Sequence, residues 1–414
     1  MVHGLITLRR QWLALSTAVL GLTASVTVLA FYLPLVLSRL TESQAAVGFG
    51  VGVEGLAALT VPLFIGRASD RRGRRIPYML AATPLVVGGL AGVAIFDSYW
   101  PLVGAVVTYF VGYYAYYTAY QSLYPDLVKR GEYGRAWSVL NIFQGVGVGL
   151  ALLGGGILIG FDLSAPFIAA AGLFLLTTLV TVLLIRENGI RGAKLRFGRI
   201  SLLLRRLRTD RNLRLFLPAH FGWEFALAAI RAFALLYLVD GLGLDGPIIA
   251  GILIVVIAAY FIAAVTSGNI IDRFDPRDYT SVMIVLFAAA MLAMTLTTSQ
   301  EALLLVMPFG VFAAAAVLML AYPILLRVTP TGRHGEYTGY YQANRGLALI
   351  LGTVGTGWLI DRFGTHFPEA GGYQVFWLAG GVAVALTLPF FLRLSRDGAE
   401  RAGAERSNVV RRKA

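Results

Sequence analysis

The chain has 414 residues, 57% hydrophobic and only 14% charged, yet it carries a formal net charge of +13 and no cysteine. Soluble domains spend about 25% of their residues on charge, so this composition excludes a soluble enzyme. The lack of cysteine excludes disulfides, thiolate nucleophiles and thiolate metal sites. The basic excess keeps nucleic-acid binding open only until the basic residues are placed.

A helix that crosses a bilayer needs about 20 apolar residues. The apolar runs predict twelve such spans, in chain order 12–38, 44–66, 76–96, 100–124, 134–160, 164–185, 213–239, 246–271, 279–298, 301–327, 335–360 and 372–394. The first is too long for a secretory signal peptide and lacks a cleavage signature, so it is expected to be retained. Lys and Arg gather on one side of these spans. Arg9, Arg10, the Arg67–Arg75 cluster, Lys129–Arg135, Arg186–Arg214, Arg273, Arg277, Arg327, Arg333 and the tail from Arg393 hold 31 of the 35 basic residues. Only Arg39 and Arg362 fall on the other side, and Arg231 and Arg345 lie inside spans. By the positive-inside rule, both termini are expected in the cytoplasm, in a prokaryotic inner or plasma membrane. The basic charge is therefore topological. Membrane lipids with anionic head groups are its expected partners, and nucleic acid is not.

The chain is expected to divide into a helical bundle over 1–185, a basic connector over 186–212, a second bundle over 213–395 and a cytoplasmic tail over 396–414. The connector reads equally as an amphipathic segment on the inner membrane surface or as a solvated linker. The halves echo one another. Gly66…Asp70-Arg71 after span two is matched by Gly268…Asp272-Arg273 after span eight, an offset of 202. Tyr124-Pro125 is matched by Tyr322-Pro323, Gly131-Glu132-Tyr133 by Gly335-Glu336-Tyr337, and Asn141 by Asn344, at offsets of 198, 204 and 203. Ordered matches at a near-constant offset indicate a duplicated unit of six helices. Six is even, so both halves keep one orientation, a parallel repeat about an axis along the membrane normal.

The stretch Gly66-Arg67-Ala68-Ser69-Asp70-Arg71-Arg72-Gly73-Arg74-Arg75 closely resembles the signature loop of the major facilitator superfamily, G-x-x-x-D-R-x-G-R-R/K. The resemblance extends over residues 10–395. It implies an all-α membrane protein of twelve helices in two six-helix bundles, related by a parallel pseudo-two-fold repeat, around a cavity that opens alternately to each side. It also implies a conformational gate at Gly66, Asp70, Arg71, Gly73, Arg74 and Arg75. The two glycines are expected to let the loop turn, and Asp70 to meet the start of helix eleven, where a helix N-terminus is partly positive.

Charges at membrane depth cost about 2.5–3.5 kcal/mol each and usually serve function. Four lie there: Glu54, Glu224, Arg231 and Arg345. Glu224 and Arg231 share a helix face but stand about 10 Å apart along the axis. The resemblance makes helices seven and eleven neighbours, so Glu224–Arg345 is the expected pair, and Glu54, beside Gly48, Gly52 and Gly55, is expected to face helix eleven. Glu224 is the first choice for proton coupling, because burial favours the protonated carboxyl and a nearby arginine favours the carboxylate. A fixed structural ion pair is the competing reading.

In the family the cavity is lined by spans one, four, seven and ten with their neighbours. Span four places Tyr113, Tyr117, Tyr120, Gln121 and Tyr124 on one stripe. Asn141 and Gln144 in span five, His220 and Trp223 in span seven, and Tyr341, Gln342 and Asn344 in span eleven complete the candidate cavity. Such a wall suits sugars, polyols or amphipathic aromatic compounds; the same residues also read as packing and interfacial belts. Glycines in span five (145, 147, 149, 154–156) and span eleven (352, 355, 357) are expected to form surfaces on which the bundles rock.

No Gly-Lys-Ser/Thr phosphate loop is present, which argues against ATP-driven transport. No metal-ligand spacing or nucleophile–base constellation appears, so no metal, no cofactor and no enzymatic activity are expected. The expected function is alternating-access movement of a small organic solute by a monomer, coupled to protons, with export one direction open to it. An uncoupled facilitative uniporter, or a member that moves lipids or amphiphiles, is the alternative. A transporter-like receptor or a membrane enzyme stands further off.

Overall fold

The computed structural model describes residues 2–127, 133–185, 210–273, 276–328 and 334–394. The predicted connector and the tail lie outside these residues, apart from the first turn of the helix that follows the connector. Among the described residues the regular structure is helical throughout, without a strand. In chain order the helices are α1 Val2–Ser38, α2 Gln44–Arg72, α3 Ile76–Ile95, α4 Tyr99–Leu127, α5 Tyr133–Gly149, α6 Ala165–Leu184, α7 Arg211–Leu236, α8 Gly246–Arg273, α9 Pro276–Thr295, α10 Gln300–Val328, α11 His334–Phe363 and α12 Gln374–Ala385. The chain after α5 continues through a π-helical turn, Leu150–Gly154, into Gly155–Ile159, and α7 ends in another, Tyr237–Gly241.

Ten helical segments among the described residues are long and apolar enough to cross a membrane. The helices α4 and α11 are not among them, although they have 29 and 30 residues. Both trade apolar side chains for polar ones, Tyr and Gln in α4 and Tyr, Gln, Asn and Arg in α11, so these two helices carry most of the residues proposed above for the cavity. Elsewhere the helices show large apolar side chains outward, including Leu176, Leu183, Ile157 and Val265. Helices apolar on both faces belong in a membrane.

Several helices run past their apolar cores. In α2 the helix continues through the signature stretch to Arg72, and Gly73 ends it in the left-handed conformation (φ 63°), its N–H donating to Ser69 O at 3.0 Å. Gly73 thus does what a turn glycine must. Gly66 does not: it lies within α2, where the nearest atom to an added Cβ would be 3.8 Å away. The expectation of a turn at Gly66 is corrected, because the helix is longer than its apolar run. Between the segment ending at Ile159 and α6, the Ser164 hydroxyl and amide both donate to Asp162 and hold its carboxyl below the ordinary carboxylate range.

By contacts the chain groups into two compact units, Met1–Leu195 with Arg231–Ile254 and Thr353–Asp361, and Arg196–Ile230 with Val255–Gly352 and Arg362–Ala414. In the first, α3 packs on α4, α1 on α5 and α6, and α2 on α4. Several buried polar groups there are satisfied inside the helices' own packing. The Ser25 and Tyr109 hydroxyls are 3.0 Å apart, Thr181 Oγ1 donates to Ala14 O at 3.1 Å, and Tyr32 donates to Leu152 O in the π turn at 2.7 Å. Span-five glycines serve this packing. A Cβ on Gly147 would sit 2.6 Å from Leu20 O, and one on Gly155 2.5 Å from the Tyr32 ring, whereas Gly149 and Gly154 face open space. Gly147 and Gly155 let α5 and its continuation lie close to α1. In the second unit, α9 packs against α10 and α12.

Candidate functional site

Within the second unit, α7 and α11 bring five of the sequence-predicted residues together. Glu224 is 5% exposed at its side chain; its Oε2 is 3.6 Å from Arg345 Nε and its Oε1 is 3.4 Å from His220 Nε2. This is the expected Glu224–Arg345 pair, with a histidine added. Positions 220 and 224 meet because residues four apart share a helix face. Asn344 Nδ2 lies 3.0 Å from His220 Nδ1 and donates to Leu217 O at 3.1 Å. The fully buried imidazole packs on two rings that also meet each other, Phe216 at 5.7 Å and Tyr341 at 4.0 Å. Tyr322 packs edge-on against Tyr341 at 5.5 Å and shares a 3.0 Å hydrogen bond with Thr338. Arg345 is 35% exposed, so it is the partner of Glu224 that solvent or a solute reaches.

Other predicted residues lie elsewhere. Trp223 is buried by packing: its Nε1 donates to Thr387 Oγ1 at 2.9 Å and its ring meets Phe391 at 5.5 Å. Gln342 and Gln144 are exposed. The side chains of Asn141 and Tyr124 lie outside the described residues, as do those of Asp70 and Arg71. Arg231 makes no ion pair or hydrogen bond among the described residues. Of the remaining signature residues, Arg75 donates to Ser69 Oγ at 2.7 Å and Arg74 is exposed.

In the first unit, Glu54 is buried and accepts from Tyr114 Oη at 3.0 Å. Its partner is thus α4 and not helix eleven, as the sequence reading expected. A neutral hydroxyl satisfies the carboxylate without an opposing charge. The α4 tyrosines sort by face. Tyr113 stacks on Tyr109 at 5.9 Å and on Tyr117 at 5.8 Å, and Gln121 donates to Tyr117 Oη. Tyr116 and Tyr120 are buried, Tyr116 against Phe174. Four-residue spacing on a helix produces such a ladder of parallel rings.

One group escaped the sequence reading. The Asp361 carboxylate caps α2: its Oδ2 accepts from Ser43 Oγ at 2.8 Å and Ala45 N at 2.9 Å, and its Oδ1 from Gln44 N at 2.7 Å. The signal was present. Gly357-Trp358-Leu359-Ile360-Asp361-Arg362-Phe363-Gly364 repeats the G-x-x-x-D-R-x-G spacing of residues 66–73. Beside this cap the helices touch at backbone distance. A Cβ on Gly357 would lie 2.2 Å from Gln44 O, and one on Gly48 2.2 Å from Thr353 O.

The comparisons with known proteins agree with this architecture. Among solved structures, the nucleoside transporter NupG is similar with a TM-score of 0.75 at 15% identity, over 93% of this chain and 98% of that one. A bacterial homolog of the human lysosomal transporter Spinster, inward-facing and occupied, is similar with a TM-score of 0.74 at 16% identity, over 94% and 96%. A D-xylose–proton symporter is similar with a TM-score of 0.68 at 16% identity, over 92% and 95%. No curated protein sequence matches the chain. At these identities the likeness establishes the fold. The family model described as Major Facilitator Superfamily matches residues 13–305 and 254–413. With its apolar helices and its fold, this match makes the chain an integral membrane transporter that belongs to the major facilitator superfamily.

Proposed function

We propose that this transporter moves a small polyhydroxylated or aromatic solute by alternating access, and that Glu224 carries the coupled proton. The observation that supports the reading is one buried carboxylate shared between Arg345 and His220. A carboxylate in that position is stable while Arg345 pairs with it. When a solute reaches the exposed side of Arg345 and takes its guanidinium, the buried Glu224 carboxylate loses its cation, which favours proton uptake there. Solute binding and proton uptake are then two descriptions of one exchange at Arg345. The two candidate six-helix bundles, 1–185 and 213–395, would supply the alternating access.

The solute class is supported by the stacked rings Tyr113 and Tyr117 and by Gln121, which together offer faces for stacking and polar atoms for hydroxyl groups. Two solved structures of similar fold are named for a nucleoside and for D-xylose with a proton, and a stacking, hydrogen-bonding wall suits that chemistry. Proteoliposomes test the reading. Candidate nucleosides and sugars are offered with and without an imposed pH gradient, to the wild type and to Glu224→Gln. Accumulation against a gradient is expected for the wild type only, with downhill exchange retained in the variant. Transport that ignores the gradient in both proteins would assign the chain to uncoupled uniport and leave the ion pair a structural role.

A further inference from the structure

We infer that Asn344 is a positioning residue that fixes the tautomer of His220, so that the neutral imidazole presents its single proton, on Nε2, to Glu224. Asn344 has two amide hydrogens. One goes to Leu217 O at 3.1 Å, and the other points at His220 Nδ1, 3.0 Å away. Turning the amide over would set its Oδ1 against the Leu217 carbonyl, two acceptors at hydrogen-bonding distance, so the backbone of α7 dictates which amide atom faces the ring. A ring nitrogen that receives an N–H must offer a lone pair. Nδ1 is therefore unprotonated, and the proton of the neutral ring is on Nε2, 3.4 Å from Glu224 Oε1. The imidazole is fully buried and packs on Phe216 at 5.7 Å and on Tyr341 at 4.0 Å.

This tautomer does not depend on whether Glu224 is the proton carrier.

The test is nitrogen NMR of the full chain in lipid nanodiscs with ¹⁵N-labelled histidine. The chain has four histidines, and His220→Gln identifies the signals of interest by their loss. The wild type near neutral pH is expected to show a bare Nδ1 and a protonated Nε2. In Asn344→Asp an acceptor replaces the donor, and the proton should move to Nδ1. In Asn344→Leu, which keeps the size without either group, the signals should shift toward a mixture of tautomers. A protonated Nδ1 in the wild type, or signals unchanged in a folded variant, overturns the inference. A wild type with the stated tautomer whose Glu224→Gln variant still accumulates solute against a gradient would leave the inference standing and remove only the coupling reading.

Discussion

The Asp361 carboxylate at the end of α11 accepts three hydrogen bonds from the first residues of α2, from Ser43 Oγ at 2.8 Å and the Gln44 and Ala45 amides at 2.7 and 2.9 Å. An N-terminus carries unsatisfied N–H groups and partial positive charge, so a carboxylate from another helix is a strong clasp for it. The clasp sits at the opposite end of α2 from Asp70, about 40 Å away along the helix, on the same sequence spacing that defines the signature stretch. We expect Asp361→Asn to weaken it, because charge-assisted hydrogen bonds are roughly twice as strong as neutral ones. A loss of about 1.4 kcal/mol corresponds to a tenfold shift in the equilibrium between clasped and open forms. The chain has no native cysteine, so a spin-label pair at Glu42→Cys and Trp358→Cys reports this distance directly. The longer-distance population should grow in Asp361→Asn and grow further in Gly357→Ala, where the added methyl meets the Gln44 carbonyl. Unchanged distances in both variants would remove the clasp from the transport cycle.

Asp70→Asn is expected to act in the opposite sense. If Asp70 holds the signature end of α2 as Asp361 holds the other, loss of its charge favours the form open at the signature end. Thiol labelling of single cysteines at the two ends should then move in opposite directions for the two variants, with unchanged yield of folded protein. Equal movement in both, or none for Asp70→Asn, would deny the signature carboxylate a gating role.

Much of this organisation was written in the order of residues. Apolar runs marked the spans because a bilayer demands them, and the pairing of Glu224 with Arg345 followed because buried charges in a membrane must find each other. Glu54 was misplaced, since the Tyr114 hydroxyl that satisfies it carries no charge for a sequence pattern to reveal. Trp223 was assigned to the cavity by its neighbours in sequence, yet its side chain turns to Thr387 and Phe391. A helix puts adjacent residues on different faces. Asp361 went unread for another reason: a carboxylate at a helix end, outside the apolar run, looks like solvent-facing charge until the helix terminus it caps is known.

The α4 ladder gives a prediction about affinity. Tyr113 and Tyr117 stack at 5.8 Å and Gln121 bonds the Tyr117 hydroxyl. Tyr117→Phe keeps the ring and loses the hydroxyl, so solute affinity should fall by roughly the worth of one hydrogen bond, about 0.5–1.5 kcal/mol, or about two- to tenfold. Tyr117→Ala should cost more by also breaking the stack. Counterflow exchange with the solute identified in proteoliposomes measures both, and affinities equal to wild type in both variants would place the solute away from this helix face.

The ion pair itself yields the sharpest energetic prediction. Removing one partner of a buried pair leaves an uncompensated charge, which costs about 3–5 kcal/mol when both groups are fully desolvated. Arg345 is 35% exposed while Glu224 is 5% exposed, so the two single variants should differ. In Arg345→Met the buried Glu224 carboxylate loses its cation, whereas in Glu224→Met the arginine keeps its contact with solvent. Arg345→Met is therefore expected to lower the melting temperature in detergent more than Glu224→Met does. The double variant, with two apolar side chains and no charge left, should regain much of the loss, because groups in contact are not additive. Melting the four proteins across neutral and mildly acidic pH completes the argument. Acid supplies the proton that a carboxylate without its arginine requires, so the deficit of Arg345→Met should shrink as pH falls, while that of Glu224→Met should not change with pH. Deficits that are equal, additive and independent of pH would mean that Glu224 and Arg345 do not act as a pair.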